Sequence, residues 1–204
     1  MSALRQHPNL TSICMEYYML SALVATILAV GTSTQLSSDI EAPGPHGPLR
    51  GTMVHPAKDA PMILMIPGSG PTDRDGNSPL GVRAAPYRLL AEGLAGRGIG
   101  SVRIDKRGLF GSQDAVIDAN AVTIDDYVDD TSAWVDAVRV RTGAECVWLL
   151  GHSEGGLVAL AAATKADHIC GVILVAAAGR PLADVIREQL NASPANAPLM
   201  DAVD

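Results

Sequence analysis

Four strand-length runs rich in apolar residues recur through the chain: PMILMIP (61–67), GSVRID (100–105), CVWLLGHS (146–153) and ICGVILVAA (169–177). A continuous apolar run closed by Pro67 and Gly68 fits a strand buried on both faces. GPLRGTMVH (47–55) reads as a further extended, turn-rich strand. Between these runs the apolar period changes to that of a helix. Over 84–96, Tyr87, Leu90, Ala91 and Leu94 share one face, and Gly96, Gly98 and Gly100 close the segment. Thr123 and Asp126 form a capping-box start, followed by Tyr127, Thr131, Trp134, Val135 and Val138 at helical spacing as a packing stripe, with Gly143 as the stop. A small-residue helix is expected from Glu154 to about Lys165 and another over 181–190, before an Asn/Ala/Pro-rich tail to Asp204. Strands alternating with helices predict an α/β fold around a largely parallel sheet, with the loops after the strands gathered on one edge.

The chain has 204 residues, 48% of them apolar and 18% charged, enough for one domain with a core and too short for two comfortable ones. With 15 basic against 22 acidic residues, a net charge of −7 and no basic tract, nucleic-acid binding is excluded. Aromatics at 3% remove the stacking platforms that single strands need. Gly and Pro recur without a period, so no solenoid or collagen repeat is present.

Residues 17–30 (YYMLSALVATILAV) are uncharged and mostly apolar. They fall short of the roughly 20 residues that span a bilayer and suit the apolar region of a secretory signal. Arg5 is the one firm upstream positive charge, Glu16 abuts the run, and Met15 or Met19 offers an alternative start. Export, to the periplasm or medium, is expected, with a mature start between Thr32 and Ser38. The alternative is a buried or membrane-lying N-terminal helix in a cytoplasmic or membrane-associated protein. Cys14 lies in this leader. Cys146 and Cys170 each precede a predicted strand and either bridge at neighbouring strand starts or remain buried thiols.

The chemistry concentrates in Gly151-His152-Ser153-Glu154-Gly155, between a buried strand and a helix, the setting of a nucleophile elbow. The turn holds its serine in a strained conformation and brings strand and helix so close that only Gly fits two positions to either side. Ser153 is the candidate nucleophile, at a helix N-terminus with free N–H groups and a positive dipole end. His152 is expected to point away from Ser153 and to be structural. Acyl transfer also needs two fixed N–H donors for an oxyanion. Glu154 supplies one, and Ser69 of the loop Pro67-Gly68-Ser69-Gly70-Pro71 supplies the other. That loop lacks the third Gly of a dinucleotide fingerprint, and Asp73 and Asp75 would repel a pyrophosphate, so no cofactor is expected. Asp73, Asp75 and Asn77 begin like a calcium loop, but Ser78 replaces the required Gly and Ala84 the bidentate Glu. No ligand set for another metal is recognisable. Asp105 and Arg107 are expected to hold the loop after the 100–105 strand through an ion pair and backbone hydrogen bonds.

IPGSGPTDRDGN (66–77), RIDKRG (103–108) and LLGHSEGG (149–156) together resemble the α/β-hydrolase family over roughly residues 40–190. The PGSGPTDRDG stretch is similar to bacterial serine esterases and S9/S33 peptidase-like hydrolases. The resemblance implies an α/β-hydrolase fold with Ser153 as nucleophile, Ser69 and Glu154 as the oxyanion hole, and a cap starting at Gly179. It organises the chain as an apolar leader (1–33), the N-terminal part of a hydrolase core (34–178) and the beginning of a cap (179–204). Family members carry the triad acid and histidine after two later strands. Here His7 lies in the leader, His46 and His55 precede the core, and His168 falls at the opposite sheet edge from Ser153. Asp184 and Asp201 belong to the presumed cap. The expectation is therefore a hydrolase incomplete at its C-terminus, with an apolar, unpaired edge at 171–177 that favours self-association. The implied activity is a carboxylesterase-like cleavage of small neutral or hydrophobic esters, with peptidase or acyltransferase chemistry as rivals. A non-catalytic fragment or binding module is the alternative. Ser153, rather than Asp, at the elbow argues against halide or epoxide chemistry.

Overall fold

The computed structural model describes residues 37–196. Six strands form one sheet: β1 (Ser37–Ala42), β2 (Leu49–Val54), β3 (Met62–Ile66), β4 (Gly100–Ile104), β5 (Val147–His152) and β6 (Ile169–Val175). Their spatial order is β1-β2-β4-β3-β5-β6, with β4, β3, β5 and β6 mutually parallel and β1 and β2 antiparallel. The helices are α1 (Pro86–Ala95), α2 (Ile124–Thr142), α3 (Glu154–Lys165) and α4 (Leu182–Asn191), with short 3-10 turns at Phe110–Ala115 and Ala119–Ala121.

Alternation along the central strands divides the core between two faces. Met62, Leu64 and Ile66 of β3 pack with Val102, Leu149, Trp134, Val135, Val138 and Val158 on the face covered by α2 and α3. Ile63 and Met65 meet Ala91, Tyr87 and Leu94 of α1 on the other. β3 is buried on both faces and is apolar throughout, whereas in β4, equally buried, Ser101 and Arg103 alternate with Val102 and Ile104.

Each predicted strand and helix has its counterpart. In α2 the capping box between Thr123 and Asp126 is complete, and Gly143 ends the helix at φ 77°. Leu90 departs from expectation: it is 40% exposed and lines a cleft instead of packing beneath the helix. β1 was not anticipated, because its buried side chains are limited to Ile40 and Ala42. The two cysteines resolve in favour of a bridge. Cys146 and Cys170 are disulfide-bonded at the starts of β5 and β6, with Cα atoms 5.2 Å apart. The apolar leader and Asp201 lie outside the described residues. No described helix is long and apolar enough to cross a membrane.

Candidate active site

Ser153 sits between β5 and α3 with φ 54° and ψ −118°, a conformation that costs an L-residue of order 1–3 kcal/mol. Its N–H donates to the Val175 carbonyl at 2.9 Å, and its own carbonyl accepts from the Gly156 N–H at 2.9 Å. A side chain at Gly151 would overlap the Gly155 carbonyl. One at Gly155 would run into the Ile66 carbonyl and lie 2.6 Å from that of Pro67, and one at Gly156 would strike Ala177. The glycines of the motif thus answer to close approaches among β3, β5, α3 and the segment after β6.

The loop after β3 packs against this turn. A Cβ added at Gly68 would stand 3.2 Å from Ser153 Cβ and 3.1 Å from His152 Nδ1. The backbone N–H groups of Ser69 and Glu154 donate to no partner among the described residues. Lys106, which follows β4, donates from Nζ to the Gly68 carbonyl at 2.8 Å and lies 3.4 Å from Glu154 Oε1. Its ammonium also stands 5.2 Å from the centre of the Tyr127 ring. Burial pushes the Lys106 pKa down, and the Glu154 carboxylate acts against that shift.

Farther along, Asp73 accepts the N–H groups of Asp75 (2.9 Å) and Asn77 (2.8 Å), and Asn77 Oδ1 accepts that of Ala85 (2.9 Å). Asp75 is ion-paired with Arg103. These groups organise the turn leading into α1. Among the described residues no group of three or more His, Cys, Asp or Glu is placed to hold a metal.

Asp105 and Arg107 hold the loop through ion pairs and backbone hydrogen bonds, as expected, each with a separate charged partner. Asp105 takes the Arg74 guanidinium (2.6 and 2.9 Å) together with the N–H groups of Arg74 (2.9 Å) and Gly111 (3.1 Å). Arg107 forks onto Asp130 (2.6 and 2.7 Å) and reaches Asp126 (2.9 Å). Asp105 therefore ties together the loops that follow β3 and β4, while Arg107 fastens the second of these loops to α2.

A cleft of about 420 Å³ opens at Ser153. Its lining is largely apolar, including Val82, Pro86, Leu90, Leu150 and Val175, with Ser69 and His152 beside the serine. His152 Nδ1 lies 2.8 Å from the Tyr87 hydroxyl, so the residue before Ser153 connects the elbow to α1. Burial raises the Tyr87 pKa. His46, His55 and His168 do not line this cleft, and Asp184 is ion-paired with Arg187 on α4. A second cleft, of about 560 Å³, lies on the Lys106 and Glu154 side of the loop. The Lys106 and Arg74 contacts were not foreseen; the basic residues of RIDKRG were a signal, but their partners lie far off in sequence.

The chain matches the family described as serine aminopeptidase, S33, over residues 80–200, a span that includes the elbow and not the Ser69 loop. It is 30% identical to Esterase EstD of Thermotoga maritima over 133 residues, which cover 64% of this chain and 30% of EstD. Among solved structures it is similar to the Pyrococcus furiosus esterase PF2001 (TM-score 0.59, 18% identity), covering 83% of this chain and 60% of that one. It is also similar to the proline iminopeptidase-related protein TTHA1809 of Thermus thermophilus (TM-score 0.57, 22% identity), covering 82% of this chain and 56% of that one. The chain thus spans less than two thirds of the length of each of these relatives. On its fold and on the match over 80–200, the chain belongs to the serine aminopeptidase S33 family of α/β hydrolases.

Proposed function

We propose that the whole protein is a serine hydrolase cleaving small, neutral or hydrophobic carboxylic esters. Ser153 Oγ attacks the ester carbonyl, the alcohol leaves as an acyl-enzyme forms, and water then releases the acid. The N–H groups of Ser69 and Glu154 hold the oxyanion of each tetrahedral intermediate. The observation that carries this reading is the strained Ser153 turn with the Gly68–Ser69 loop pressed against it, leaving both N–H groups without partners among the described residues.

The cleft favours an ester over a peptide N-terminus. Holding an α-ammonium requires an available carboxylate, whereas the lining at Ser153 contains no Asp or Glu and neighbouring Glu154 is engaged by Lys106. That EstD and PF2001 are named esterases agrees with this choice. The triad base and acid are assigned to none of the described residues. His152 alone among the described histidines lines the cleft, and its Nδ1 is taken by Tyr87. The same observation favours a second reading, a hydrolase-fold protein that binds without turnover. An oxidising, extracytoplasmic location is proposed as well, supported by the Cys146–Cys170 bridge.

Hydrolysis of a short-chain p-nitrophenyl ester by the protein and by Ser153→Ala, both shown folded by circular dichroism, decides between the readings. The ester reading expects turnover that disappears with Ser153. A folded protein whose rate is indifferent to Ser153 overturns the ester reading.

A further inference from the structure

We propose that Lys106 is the positioning residue of the oxyanion site, setting the orientation of the peptide group that carries the Ser69 N–H. The inference rests on the ester-hydrolysis reading above. The Gly68 carbonyl and the Ser69 N–H are two ends of one peptide group, and no cis peptide bond occurs among the described residues. In a planar trans peptide these ends point in opposite directions, so whatever grips the oxygen aims the N–H. Lys106 Nζ grips that oxygen at 2.8 Å. Gly68 supplies one of the two torsions about which this peptide plane turns, and a glycine there makes its rotation inexpensive. A flipped plane would turn an acceptor toward the developing negative charge in place of a donor.

The same ammonium reaches the other donor's residue. Glu154, whose N–H completes the site, presents its carboxylate 3.4 Å from Nζ. One cation thereby registers the loop after β3 against the start of α3. Its charge on the Gly68 oxygen also polarises the peptide and makes the Ser69 N–H a stronger donor. Lys106 is itself well held, only 6% exposed and facing the Tyr127 ring. It touches no reacting atom in this arrangement; it acts through two backbone groups.

The experiment compares steady-state hydrolysis of a p-nitrophenyl ester by the full protein with Lys106→Met, Lys106→Gln and Lys106→Arg, with Ser153→Ala as the blank. A misaimed donor weakens the transition state and leaves ground-state binding intact. Expected, therefore, is a fall in kcat of about ten- to a hundredfold in the Met and Gln variants, short of the about 10²–10³ lost with a whole donor. KM should stay within about twofold, and Lys106→Arg should recover most of the rate. Lys106→Gln remains polar beside Glu154 and serves if Lys106→Met does not fold. Folded Met or Gln variants with wild-type kcat, or with the whole effect in KM, overturn the inference and leave the ester reading standing. A wild type without Ser153-dependent turnover overturns both.

Discussion

Arg107 is 7% exposed and spends its guanidinium on Asp126 and Asp130 of α2. Burial raises the pKa of Asp130, and the arginine opposes that rise. With its folded value above the ordinary 3.8, Asp130 takes up a proton in the native state before it would in the unfolded chain. Its contribution to stability therefore improves as pH falls from neutral through the raised value, and worsens in the opposite direction. Arg107→Met leaves that carboxylate buried without its cation, at a cost of about 3–5 kcal/mol near neutrality. The gap between variant and wild type should narrow as acid protonates Asp130. Urea midpoints of the two proteins between neutral and mildly acid pH check this, and a gap that stays constant or widens in acid contradicts it.

Among the elements, β5, α3 and β6 form the unit that holds Ser153, with the cysteines joining it at the strand ends away from the elbow. The bridged residues are 24 apart, and on loop-closure grounds such a cross-link is worth about 3 kcal/mol. Replacing both cysteines by serine should lower the melting temperature, and reductant should lower that of the wild type but not of the variant. Most of this layout was legible in the residues. Long apolar runs and Gly stops reported the strands buried on both faces, and the elbow declared itself because its glycines are dictated by local crowding. β1 was not legible, since pairing with β2 supplies what its polar sequence lacks. Nor were the partners of Asp105 and Arg107. Each charge was visible, but Arg74 lies 31 residues from Asp105, and Asp130 lies 23 from Arg107. Folding of the loops chose among several carboxylates and cations, and local spacing carries no record of that choice.

For the whole molecule, the described sheet ends at β6, which pairs on one side with β5. Leu174 and Val175 on it are 49% and 40% exposed. An apolar strand with free backbone groups is a template for another strand. The 204-residue chain studied alone should associate in a concentration-dependent manner, and Leu174→Lys should reduce that association. Sedimentation velocity over a range of loadings tests this, and a chain that stays monomeric at every loading excludes it.

The Cys146–Cys170 bridge has a topological consequence as well. It closes residues 146–170 into a covalent ring, with Ser153 and all of α3 inside it. A backbone cut within the ring converts one chain into two without separating them. The fragment bearing Ser153 stays joined to the fragment bearing the other cysteine until a reductant reaches the bridge.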